Sequence, residues 1–161
     1  MATTSAVLNA VDRYGVGVRV AYEMDGDRFR HTIYGVRGPR TEPLLVSAES
    51  PPNIAWPISP PLQQLHVQED GRGGKLLFLT GMAGQSHWSV SVSVQSTDRQ
   101  IGSDFDQAPV TMCLAFDAAV RVKQPPELIG STYEVCGDAK WLDTAGFTSA
   151  CKPPFAAAIS G

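Results

Sequence analysis

The residues at positions 87–94 alternate strictly between two kinds of side chain, and this alternation constrains the fold more than any other feature of the chain. The apolar side chains are Trp88, Val90, Val92 and Val94. The polar side chains that alternate with them are His87, Ser89, Ser91 and Ser93. A period of two places the two sets on opposite faces of an extended strand. We therefore predict a half-buried β-strand whose inner face carries the tryptophan and the valines.

A second, longer alternation covers residues 110–123 and indicates the same fold class. Its length exceeds that of an ordinary strand, so we expect a bend or bulge near Asp117. Shorter apolar stretches recur along the chain, separated by many of its 15 glycines and 12 prolines. In a chain of 161 residues, this pattern predicts one all-β domain. The expected architecture is an antiparallel β-sandwich of about eight strands, with a closed antiparallel β-barrel as the alternative.

The first hairpin is predicted near the N-terminus. Asp25 and Gly26 suit the two central positions of a tight turn between strands. That turn would place His31 opposite Val20 on the apolar face, as a hydrogen-bonded residue of the core or its rim. Residues 5–11, which precede the hairpin, are compatible with a short helix or an edge strand, and the sequence leaves both open.

Two segments are expected to lie outside the sheets. Residues 51–61 contain five prolines, which deny backbone donors to a ladder, so we predict a fixed segment that lays Trp56 over an end or edge of the sheet. Residues 137–161 are rich in glycine, alanine, aspartate and proline and predict an irregular C-terminal tail. Cys136 and Cys151 could close part of this tail as a loop, but three cysteines cannot all pair within the chain.

Composition and charge exclude several classes of function. The formal net charge is −3 and the basic residues are scattered, unlike the basic surface of a protein that binds nucleic acid. No apolar run approaches the ~20 residues of a membrane span. The N-terminal residues lack the features of a secretory signal, so the expected location is the cytoplasm. No spacing of cysteine and histidine predicts a metal site, and no cofactor is expected.

The best candidate site is the loop that leads into the alternating strand. It brings an amide, a hydroxyl and an imidazole together in consecutive residues, and the strand continues as a row of small hydroxyl side chains. Such groups suit a binding site with a few placed polar contacts and an aromatic wall. The candidate ligand-binding residues are Trp56, Gln85, Ser86, His87, Ser89 and Ser91.

Catalysis is not predicted from these residues. The nucleophile elbow of serine hydrolases needs a glycine two residues after the serine, whereas His87 and Trp88 follow Ser86. Ser86 and His87 should also point to opposite faces of the strand, so no catalytic residue is assigned.

The sequence favours a non-enzymatic binding or assembly module. Its partner would be a second copy in a homodimer, another protein or a small molecule. The alternative is a small-molecule-binding barrel whose cavity is lined by the serine face and His87. A hydrolase is the weakest hypothesis, because no nucleophile–base pair can be identified.

Overall fold

The computed structural model describes residues 4–71, 73–97, 111–137 and 158–160. Within these ranges the chain forms strands and no helix. The strands are β1 (Ser5–Val11), β2 (Val16–Asp25), β3 (Arg28–Arg37), β4 (Arg40–Ser47), β5 (Gln64–Glu69), β6 (Lys75–Ala83), β7 (Ser86–Thr97), β8 (Thr111–Arg121), β9 (Thr132–Val135) and β10 (Ala158–Ser160). The segment at residues 5–11 is therefore an edge strand rather than a helix.

The strands form two sheets. The first has six strands in the order β1-β2-β3-β4-β9-β10, and the second has four in the order β5-β6-β7-β8. All pairings are antiparallel except that between β9 and β10, which is parallel. The predicted β-sandwich is confirmed. The barrel alternative is wrong, because among the described strands neither sheet pairs its first strand with its last.

The core lies between the two sheets, and the alternation of β7 supplies part of it. Trp88, Val90 and Val92 are buried, as predicted for the inner face. Val90 and Val92 join apolar side chains from both sheets in the core cluster, of which Val20, Leu77 and Leu79 have no exposed surface. The remaining buried members of the core cluster are Leu8, Tyr22, Phe29, Ile33, Leu44, Leu45, Leu62 and Leu65.

The first hairpin forms with a register that differs from the predicted one. Asp25 pairs with Arg28, so the central turn residues are Gly26 and Asp27 rather than Asp25 and Gly26. Gly26 has a φ of 65°, and a positive φ at only the first central position is the type II′ pattern. The prediction that His31 opposes Val20 is therefore wrong, because His31 pairs with Tyr22.

The pairing of β3 with β4 contains a bulge, whereas the pairing of β7 with β8 does not. The register between β3 and β4 shifts at Ile33 and Tyr34, and as a result the consecutive residues Leu44 and Leu45 are both buried. By contrast, β8 pairs with β7 in one unbroken register over its whole length. Of the bend or bulge predicted near Asp117, the bulge is therefore wrong, because the long neighbouring strand β7 gives every residue of β8 a partner.

The proline-rich segment lies against the six-stranded sheet at Ser59 and against Gly81 of β6, in the other sheet, at Pro61. Trp56 is 9% exposed, and Pro57 is fully buried. Just beyond the segment, the backbone N–H of Phe29 in β3 donates to the carbonyl of Leu62 at 2.6 Å. Ser59 accepts a hydrogen bond from the backbone N–H of Thr132 in β9 at 3.0 Å. These contacts fix the connection between β4 and β5 on the fold.

The C-terminal region is described only in part. β10 adds a strand at the edge of the six-stranded sheet. Most of the predicted tail, including Cys151, lies outside the described residues.

Candidate functional site

A groove of about 500 Å³ crosses the outer face of the four-stranded sheet. We call it the outer groove. Its side chains come from two adjacent cross-strand rows, which the pairing of β5 to β8 defines. One row is Gln64, Thr80, Ser89 and Ala119, and the other is Met82, His87 and Arg121, with Gln63 beside it. Small side chains occupy the middle of the first row, and larger side chains occupy the second row. The surface is therefore lower along the first row than along the second.

The turn between β6 and β7 sets these rows. Ala83 pairs with Ser86, which leaves Gly84 and Gln85 as the two turn residues. Gly84 has a φ of 55°, a conformation that favours glycine. This tight turn fixes the register, and the register places His87 opposite Met82 and Ser89 opposite Thr80.

The hydrogen bonds at one end of the groove orient two glutamines. The backbone N–H of Met82 donates to Oε1 of Gln63 at 3.1 Å. The hydroxyl of Thr80 donates to Oε1 of Gln64 at 3.3 Å. The backbone N–H of Gln63 also donates to the carbonyl of Thr80 at 2.8 Å, so this end of the groove is held by several bonds.

The sequence-predicted residues fall into three environments. His87 and Ser89 line the outer groove and are exposed, and Ser91 is half-buried one row further along the same face. Gln85 is exposed in the turn between β6 and β7. Ser86 and Trp56 are buried, at 1% and 9% exposure. The structure thus brings two of the six together in the groove. The serine face lies on the outside of an open sheet and does not line an internal cavity.

Sequence reasoning missed a second cluster, on the inner face of the six-stranded sheet. Tyr22 of β2 pairs with His31 of β3, and Ser47 of β4 pairs with Tyr133 of β9. The backbone N–H of His31 donates to Oγ of Ser47 at 3.0 Å, which joins the two pairs. We call these four residues the polar row. Glu49 extends it, because Ser47 donates to its Oε1 at 2.7 Å.

Aromatic rings enclose His31 in the polar row. Its ring stacks on Tyr22 at a centroid distance of 4.8 Å and meets Tyr133 edge-on at 5.3 Å. Nε2 of His31 lies 2.8 Å from the hydroxyl of Tyr133. His31 is 6% exposed, which confirms the sequence prediction of a hydrogen-bonded core residue.

Burial sets the protonation of the polar row. It lowers the pKa of His31 to about 4, so the imidazole is neutral at pH 7. Burial, together with nearby Glu49, raises the pKa of Tyr133 to about 12. The pKa of Tyr22 is raised, chiefly by burial, and that of Glu49 is raised by desolvation. Both tyrosines therefore remain hydroxyl donors, and no cation forms in the row at neutral pH.

No local sequence pattern predicts the polar row. His31 and Tyr133 are 102 positions apart, and they meet only because β9 pairs with β4. Within the described residues, the hydroxyl of Tyr22, Nδ1 of His31 and Oε2 of Glu49 have no hydrogen-bond partner. The row thus retains hydrogen-bonding capacity that its known contacts do not use.

Two further features are absent from the described part of the chain. It contains no group of three or more histidine, cysteine, aspartate or glutamate side chains placed to hold a metal ion. It also contains no helix with the length and hydropathy required to cross a membrane.

Comparison of the chain with protein-family models, with curated proteins and with solved structures finds no match.

Proposed function

We propose that this protein is a non-catalytic binding module and that the outer groove is its binding surface. The groove's volume of about 500 Å³ carries the proposal. Sites for small molecules and cofactors span about 300–1,000 Å³ and combine apolar surface with a few placed polar groups. The groove has this composition: Met82 and Ala119 supply apolar surface, and His87, Ser89 and Thr80 supply polar groups.

The rigidity of the support favours binding at this place. The groove is built on four paired strands rather than on loops. Beneath it, Leu77, Leu79 and Val92 are fully buried or nearly so. A site on packed strands holds its side chains more precisely than a site on loops, which lowers the cost of ordering them on binding.

The arrangement of hydroxyls and imidazole favours binding over catalysis. Ser86 is buried on the inner face, whereas His87 is exposed on the outer face. Among the hydrogen bonds of the described residues, none joins His87 to a carboxylate or to a serine hydroxyl. A nucleophile needs a base within hydrogen-bond reach, and the base needs a group that orients it. The groove supports neither part of that arrangement.

The test is a fragment screen followed by two-dimensional amide NMR. We expect bound fragments to shift the amide signals of Thr80, His87, Ser89 and Arg121 more than those of the six-stranded sheet. Ser89→Trp should fill the small-residue row and abolish these shifts. Thr41→Trp, at an exposed position of β4, is the matched control and should leave them unchanged.

Two outcomes would overturn the proposal. One is a screen in which fragments bind elsewhere or nowhere while the protein remains folded. The other is a dimer in sedimentation velocity whose interface protects the groove amides from exchange, because the groove would then be occupied by a second copy. A urea unfolding curve for Ser89→Trp ensures that lost shifts reflect a filled groove rather than an unfolded chain.

A further inference from the structure

We infer that the outer groove binds the oxyanion of a small ligand, a carboxylate or a phosphate attached to an apolar body. This inference rests on the proposed function and adds the chemical class of the ligand. The groove offers hydrogen-bond donors and one fixed positive charge, and the acceptors at its glutamine end are engaged.

The first observation is the orientation of Gln63. A backbone N–H can only donate, so the atom of Gln63 that meets the N–H of Met82 at 3.1 Å must be the carbonyl oxygen. This bond fixes which way the amide faces. The oxygen is engaged within the protein, and the NH₂ group, with two donors, remains for a ligand.

Gln64 repeats this arrangement next to Gln63. Its Oε1 accepts the hydroxyl of Thr80 at 3.3 Å, which again leaves the NH₂ group. The carbonyl of Thr80 is also engaged, because it accepts the N–H of Gln63 at 2.8 Å. This end of the groove therefore presents donors and has used its nearest acceptors. A ligand rich in acceptors complements it.

The second observation is the charge of the groove. Arg121 lines it and lies opposite His87 in the register of β7 and β8. No aspartate or glutamate lines the groove. The nearest acidic residue on the same face of β8 is Asp117, four residues and about 13 Å of strand away. Among the described residues, Arg121 forms no ion pair with a carboxylate.

A single cation favours one oxyanion rather than a polyanion. Guanidinium binds carboxylate and phosphate through charge-assisted, often paired hydrogen bonds. The chain as a whole carries a net charge of −3, which disfavours long polyanions such as nucleic acid. Met82, 48% exposed, and the exposed Ala119 lie within the same groove and offer contact to an apolar body. The ligand class that follows is a small amphiphilic acid.

The experiment compares four probes that share a phenyl ring and differ in their polar group, titrated by amide NMR at constant ionic strength. The probes are phenylacetate, phenyl phosphate, the neutral phenylacetamide and the cationic phenethylamine. We expect the two anions to bind about fivefold more tightly than the amide, as for an exposed charge pair, and the cation to bind most weakly. The two anions compared with each other decide between carboxylate and phosphate.

Variants assign the effect to Arg121. Arg121→Gln should weaken the binding of the anions by about fivefold and leave the amide unchanged. Arg40→Gln, which makes the same change at an exposed position of the six-stranded sheet, should change neither. Equal affinity for the amide and the anions, or loss in both arginine variants alike, would refute the oxyanion inference while leaving the groove as a binding surface. If no probe shifts the groove signals, the proposed function itself fails.

Discussion

Burial of His31 should make the fold labile to acid. The folded protein binds a proton at this imidazole only near pH 4, whereas the unfolded chain does so near pH 6.5. Between these two values the unfolded state takes up a proton that the folded state excludes, so falling pH favours unfolding. The contribution of His31 is fully favourable above about pH 6.5 and is lost progressively as the pH falls toward 4.

The size of the effect follows from the two pKa values. Their separation corresponds to about 3 kcal/mol when the pH is below both, and about 2 kcal/mol is already lost by pH 5. Glu49 acts in the opposite direction, because burial raises the pKa of its carboxyl and proton binding there favours the folded state. The pH dependence of the protein's stability therefore contains the contributions of both groups. The contribution of His31 must be measured as the difference between the wild type and a variant that lacks the imidazole.

The variant His31→Gln provides that difference. Its amide is neutral at every pH and can still bond the hydroxyl of Tyr133. It should be less stable than the wild type at pH 7.5, because it loses the ring contacts with Tyr22 and Phe116. That deficit should shrink by about 2 kcal/mol between pH 7.5 and pH 5. Urea unfolding followed by circular dichroism over this range measures it.

Two controls isolate the cause. His66→Gln makes the same substitution at an exposed position of β5 and should follow the wild-type slope. Tyr133→Phe removes the hydroxyl but keeps the buried imidazole, so it should lower stability without flattening the slope. If wild type and His31→Gln lose stability in parallel from pH 7.5 to pH 5, the reasoning from burial is wrong.

Three other substitutions probe packing, each by urea unfolding at neutral pH. Gly81→Ala should cost about 2 kcal/mol, because its methyl would overlap the carbonyl oxygen of Pro61; a neutral result would show that this segment moves freely. Ser47→Ala should cost about 1–3 kcal/mol, since it leaves the backbone N–H of His31 unpaired, and a loss under about 0.5 kcal/mol would contradict this. Leu79→Ala, at a site with no exposed surface, should cost about 2–5 kcal/mol, and full retention of stability would contradict its place in the core.

The hairpin shows what strand patterning can and cannot decide. Both possible turns contain Gly26, and both keep Tyr22 on the apolar face. Moving the turn by one residue changes each cross-strand partner by two positions, so that Tyr22 opposes His31 instead of Phe29. Because a shift of two positions preserves the faces, neither hydrophobicity nor charge could distinguish the registers. The geometry of the turn selects the observed register, and that geometry is a property of the folded backbone.

Part of the outer groove could be predicted from the sequence, whereas the arrangement of the polar row could not. The polar face with His87 and Ser89 was predicted, because it is local to one strand. The residues that complete the groove, Gln63 and Arg121, come from strands whose order in the sheet no local pattern specifies. The polar row could not be predicted for the same reason, because strand order alone brings Tyr133 to His31.

The positions of the two clusters imply separate roles for them. The polar row lies inside the sandwich, where neutral hydrogen bonds join β3 to β4 and β9 and ring stacking joins β2 to β3. The outer groove lies on the far side of the other sheet, behind the apolar layer of Leu77 and Leu79. Side chains on faces of different sheets, with no shared partner, act almost additively. Substitutions at His31 or Ser47 should therefore change the stability and its pH dependence while the groove's affinity at pH 7.5 stays constant, and substitutions at Arg121 should do the reverse.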